Sequence, residues 1–80
     1  MALTDLIRTI AVELVDAPDS VEVREVPSDN GAGTVIELRV AKEDIGKVIG
    51  KEGRTAQSMR AILSAASTKL GTRAHLDIVD

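Results

Sequence analysis

The stretch Ile45-Gly46-Lys47-Val48-Ile49-Gly50-Lys51-Glu52-Gly53-Arg54-Thr55 carries the residues best suited to chemistry in this 80-residue chain. Gly50 and Gly53 bracket Lys51 and Glu52, and Arg54 follows at once. The pattern comes after one short apolar helical turn and before a long amphipathic helix. Such a loop presents backbone N–H groups at a helix N-terminus, where the helix dipole favours negative charge. Glycine at both ends lets another backbone approach with no Cβ in the way. Lys51 and Arg54 add charge of the sign a phosphate chain requires. The chemistry implied is non-covalent: a clamp on a nucleic-acid backbone. The plainer alternative is that Gly50 and Gly53 only form a tight corner between two helices.

Other chemistries find little material. Between Gly46 and Gly50 stand three residues, not four, and Lys51 is followed by Glu52, so a nucleotide-binding P-loop is excluded. With no cysteine there is no disulfide, thiolate metal site or thiol nucleophile, and one histidine leaves no catalytic set. Glu43 and Asp44 are adjacent, point to different helix faces, and read as partners of a helix dipole. No metal-ligand cluster, catalytic residue or cofactor is implied.

Composition sets further bounds. Eighty residues make one domain, near the size at which a single core barely suffices. The apolar runs are too short to span a membrane, and the N-terminus does not read as a secretory signal. Lack of cysteine suits a reducing cytosol. There is no Phe, Tyr or Trp, which removes the usual base-stacking platform of single-strand binders and leaves an aliphatic-lined groove. The net charge of −3 argues against an anionic partner until its distribution is seen. Residues 1–37 hold two bases and eight acids, whereas residues 38–80 hold eight bases and five acids. From Gly53 through Leu76 there are four bases and no acid, and the local field steers a ligand.

The elements that must position the loop follow from periodicity. Leu3, Leu6, Ile7, Ile10, Leu14 and Val15 form one stripe of a helix over 3–15 that stops before Pro18. Val21 and Val23 alternate with Glu22 and Arg24 in a first strand. Its phase breaks at Glu25-Val26, as a bulge or as the strand end, with Pro27 at an edge. Ser28 through Gly33 is a turn cluster whose Asn30-Gly31 signals a hairpin. Ile36, Leu38 and Val40 then oppose Glu37 and Arg39 in a second strand. A short helix starting with Glu43 and Asp44 ends near Ile49. Met59, Ile62, Leu63, Ala66 and Leu70 mark a second long helix, capped by Gly71. Arg73 to Val79 alternates as a third strand. About thirty residues separate strands two and three, enough for a crossover that makes them parallel. Glu22, Arg24, Glu37, Arg39 and Asp77 are expected on the open, wet face of the sheet.

Val-Ile-Gly-Lys-x-Gly-Arg-Thr at a helix–loop–helix corner looks like the GXXG loop of KH domains. The whole chain, from about Leu3 to Asp80, resembles the small stand-alone bacterial RNA-binding proteins of the KhpA (YlqC) family. Ala56 stands where KH patterns often carry a larger aliphatic residue. The resemblance implies one α+β domain over residues 1–80: a type II (prokaryotic) KH fold of order α-β-β-α-α-β, with a three-stranded mixed sheet and helices on one face. It further implies a groove for single-stranded RNA. Gly50, Lys51, Glu52, Gly53 and Arg54 grip the RNA backbone, with amides around 52–55 donating, and Lys47 and Arg60 make outer contacts. Ile45, Val48, Ile49, Thr55 and Met59 are candidates for one apolar wall, and Arg73 to Leu76 for the other; Val48 and Ile49 serve equally well as core. His75 reads as an exposed polar residue. Implied roles are RNA chaperone or post-transcriptional regulator in the cytoplasm, with self-association or pairing with a larger multidomain KH protein. A KH-fold protein-interaction adaptor with little RNA affinity is the alternative.

Overall fold

An apolar residue every third or fourth position drives the first helix, α1 (Leu3–Leu14), against the sheet and buries Ile7 and Ala11 completely. Leu14, on the expected stripe, lies at the surface instead. Val15 is already extended, and Pro18 opens a 3-10 turn over Pro18–Ser20. The guanidinium of Arg8 donates to the Val21 carbonyl at 3.2 Å, fastening α1 to the strand that follows. This computed structural model describes residues 2–28, 31 and 33–79.

Strand β1 (Glu22–Pro27) pairs antiparallel with β2 (Thr34–Arg39) in an unbroken register from Glu22↔Arg39 to Pro27↔Thr34. The phase break at Glu25-Val26 is therefore neither a bulge nor a strand end. Glu25 sits opposite Ile36 on the helix-facing side, where the sheet edge leaves its carboxylate exposed. Val26 takes the open side opposite Val35 and is half-buried there. Asn30, with Asp29 and Ala32, lies outside the described residues, so the Asn30-Gly31 hairpin signal does too; the turn is closed by the Ser28 N–H donating to Gly33 O at 3.0 Å.

A 3-10 turn at Lys42–Asp44 leads into α2 (Ile45–Ile49), a second turn at Lys51–Gly53 into α3 (Arg54–Lys69), and the chain returns as β3 (Ala74–Val79). β3 lies parallel to β2, with Thr34↔Ala74 through Arg39↔Val79 in register, giving the sheet order β1-β2-β3. The fold is α+β, of order α-β-β-α-α-β, with a mixed sheet and the helices on one face. Its core has no aromatic ring: Ile7, Ile36, Leu38, Val48, Met59 and Leu63 are all at most 1% exposed. Each such side chain contributes roughly 1.5–3 kcal/mol by leaving water.

The inward face of α3 is not the full set of apolar residues that mark the helix in sequence. Ala56, Met59, Leu63 and Ser67 face inward, whereas Ile62 and Leu70 are 45% and 59% exposed. The inward face takes a small residue and a serine, and the Ser67 hydroxyl is satisfied by donating to Ser64 O at 3.0 Å. Gly71 does end the helix: its N–H reaches Thr68 O and that of Thr72 reaches Ser67 O, a Schellman closure. On the open face, the register partners Arg24 and Glu37 pair at 3.7 Å and Arg39 and Glu22 at 3.9 Å.

Candidate nucleic-acid interface

The loop hangs between two helices of unequal length, and each end is fixed differently. At the start of α2, Asp44 is fully buried. Its carboxylate accepts the backbone N–H of Asp16 at 3.2 Å and of Ala17 at 3.0 Å. Asp44 stands at the N-cap of α2, as a dipole partner should, and is in addition a buried acceptor for a distant part of the chain. The Lys47 ammonium lies 3.2 Å from Asp16 and 3.7 Å from Asp44. The hydrogen bond to Asp16 and that carboxylate's charge, with Asp44 adding less, hold the Lys47 pKa above the ordinary lysine value of 10.5.

At the other end of α2 the two apolar candidates part company. Val48 has no exposed surface and packs in the core behind the loop, while Ile49 is 39% exposed. Ile45 is half-buried, and Met59 belongs to the core. The Gly50 N–H closes α2 by donating to Gly46 O at 2.8 Å. Gly50 then adopts φ 77° and ψ 173°, a region essentially confined to glycine. A Cβ there would lie 2.7 Å from Thr55 Cβ and nearer still to its hydroxyl. What approaches Gly50 is thus the protein's own Thr55, not an outside backbone. Gly53 is the converse: φ is 75° in the left-handed region, and nothing stands within 4 Å of where its Cβ would be. The open approach expected at both glycines exists at Gly53.

Between them Glu52 also takes left-handed angles, φ 58° and ψ 24°, uncommon for a residue with a side chain. Its carboxylate meets the Arg54 guanidinium at 3.4 Å, both groups largely exposed. Lys51 is exposed, and among the described residues its ammonium has no partner. Of the amides expected as donors, that of Gly53 bonds to Gly50 O and that of Arg54 to Lys51 O, so both are engaged inside the turn.

Arg60 lies roughly 9 Å further along α3, at 1.5 Å per residue. It lines a trough of about 470 Å³ with Ser64, Ser67, Thr68 and Thr72 on one side and Arg73 to Leu76 on the other. The expected second wall is therefore beside Arg60, while the glycine loop does not line this trough. The serine and threonine hydroxyls were missed. Their signal was the spacing of Arg60, Ser64, Ser67 and Thr68, one polar helical stripe.

A family model described as KhpA/KhpB, KH domain, matches residues 4–78. The chain belongs to the KhpA/KhpB family of KH domains. A protein named RNA-binding protein KhpA from Halalkalibacterium halodurans is 51% identical over 75 residues, covering 94% of this chain and 96% of that protein. Its namesake from Aquifex aeolicus is 46% identical over 79 residues, covering 99% of this chain and 98% of its own. The match is to a binding-domain family, not an enzyme family. Two crystal structures of Era share the KH fold at TM-score 0.61 and 22% identity. One is an Aquifex aeolicus variant bound to GDP·AlF4−; the other holds MgGDPNP and nucleotides 1506–1542 of 16S ribosomal RNA. They cover 95% of this chain, which spans only 29% and 28% of theirs. Among the described residues, no helix is long and apolar enough to cross a membrane.

Proposed function

We propose that this chain acts as one KH unit that binds single-stranded RNA, gripping the backbone with the loop Gly50 to Arg54. The observation that carries the reading is the exposed Lys51, whose ammonium has no partner among the described residues, two positions before the open Gly53 at the N-terminus of the 16-residue α3. There the helix dipole and the lysine act on the same phosphate. The relatives' name, RNA-binding protein KhpA, supplies the class of ligand. Arg54 serves once a phosphate draws it from Glu52, an exposed pair worth at most about 1 kcal/mol. Ile49 and Thr55 flank the backbone, Val48 supports it from the core, and Arg60 meets the strand where it enters the trough.

A KH clamp holds about four nucleotides, so one copy binds weakly, and a second KH copy raises affinity through effective concentration. This favours self-association or pairing with a larger multidomain KH protein, in a cytoplasmic RNA chaperone or post-transcriptional regulator. The test is titration of a short single-stranded RNA at two salt concentrations with wild type and the double variant Lys51→Asp, Glu52→Asp. Wild-type affinity should fall with salt, and the double variant should bind more weakly at both. Equal affinity in a folded double variant would remove the clamp.

A second reading, a protein-interaction adaptor, draws on the acids that offset the loop's cations: Glu52 beside Arg54, and Asp16 with Asp44 beside Lys47. It requires wild type to show no salt-dependent RNA binding in the same titration.

A further inference from the structure

Lys47 and Asp44 stand out because the clamp does not account for them. A fully buried carboxylate is stable only where it is paired and hydrogen-bonded. Asp44 meets that condition across the fold: its oxygens take the amides of Asp16 and Ala17, and Lys47 closes the cluster from one helical turn further on. Helix α2 has five residues, too few to hold an orientation by its own hydrogen bonds. Its direction is therefore set by what fastens it. At one end that is Asp44; at the other, Val48 in the core and Thr55 against Gly50.

We infer that Asp44 is the positioning residue for the glycine loop, its buried carboxylate fastening α2 to the turn after α1 with Lys47 as counter-ion. Only the functional consequence rests on the RNA-binding reading. Without the anchor, α2 pivots about Val48 and carries Gly50 to Gly53 out of place. Apparent affinity then falls in proportion to the fraction of molecules still competent. Lys47, held by two carboxylates, brings no spare charge to a phosphate. The outer contact expected of it is left to Arg60, with Lys51 keeping its place in the grip.

The experiment compares Asp44→Asn, Lys47→Met and Lys51→Met in the full chain. Urea melts establish the folded fraction, and RNA titrations across salt are read with NMR amide exchange. Asparagine keeps the shape of Asp44 but cannot accept both amides. The expected result for Asp44→Asn is faster exchange at Asp16 and Ala17, shifted resonances at Gly50 to Gly53, and affinity lower by about tenfold if one molecule in ten stays competent, with an unchanged salt slope. Lys47→Met should leave the slope alone, whereas Lys51→Met should reduce it by about 0.7, the value of one single-strand phosphate contact. The inference is overturned if Asp44→Asn leaves the loop resonances and affinity at wild-type values, or if Lys47→Met lowers the slope as Lys51→Met does. Should Asp44→Asn not fold, the Lys47→Met slope decides. Should wild type bind no RNA, the clamp reading has failed, and the loop resonances of Asp44→Asn still decide the anchor.

Discussion

Asp44 and Lys51 bracket the same short helix, and their surroundings could hardly differ more. Asp44 is out of water, with two backbone donors and a lysine around it. Lys51 stands in solvent, with no partner among the described residues. A charge that is fully satisfied inside the protein has nothing left to offer a ligand, whereas an unpartnered one at a helix N-terminus does. The contrast teaches that position in a motif does not settle a charge's role. Lys47, four residues before Lys51, lies within the same motif yet belongs with the anchored group.

Removing the anchor is the most severe way to probe this difference. Asp44→Ala deprives the part-buried amides of Asp16 and Ala17 of a charged acceptor and should cost about 3 kcal/mol in a urea melt, while Lys51→Met should stay within about 0.5 kcal/mol. Equal effects would erase the distinction between the two ends. The glycines sharpen it next. Gly50→Ala combines forbidden angles with a collision on Thr55 and should cost about 3 kcal/mol; Gly53→Ala meets only left-handed strain and should cost about 1 kcal/mol. A smaller cost at Gly50 than at Gly53 would show that Thr55 does not fill the space assigned to it.

The weakest probe is alkaline titration. The folded pKa of Lys47 is raised by the hydrogen bond and charge of Asp16, with Asp44 contributing. Its contribution to stability is therefore complete below the unfolded pKa near 10.5 and is lost as pH climbs through the higher folded value. Wild type should lose its excess stability over Lys47→Met above about pH 10.5 in thermal melts, a small effect because the side chain faces solvent. A constant difference between the two proteins across that range would show that Lys47 does not hold its charge against Asp16.

Much of this was legible in the residues. Period-two and period-3.6 patterns are local, so the order of elements, the parallel third strand and the Gly71 cap could all be read. The glycine loop could be read because its residue types state their own geometry. Non-local facts could not. That the amides of Asp16 and Ala17 meet Asp44 depends on where α1 ends relative to α2. Glu25 looked like a break because alternation assumes a covered face, and the sheet edge leaves its position uncovered. Ile62 and Leu70 mark the helix in sequence because they are large and apolar, but α3 turns Ala56 and Ser67 inward instead. Gly50 and Gly53 look alike in sequence, and only the packing of Thr55 separates them.

The central claim is that the turn from Gly50 to Arg54 meets the RNA backbone. Its most direct test is an NMR titration of wild type with a short single-stranded RNA, following every backbone amide. The account predicts the largest shifts at Gly50 through Arg54, weaker ones at Arg60 and Arg73 to Leu76, and none at Asp16 or Ala17. Shifts confined to the open sheet face around Arg24 and Glu37, with the glycine turn unmoved, would contradict it.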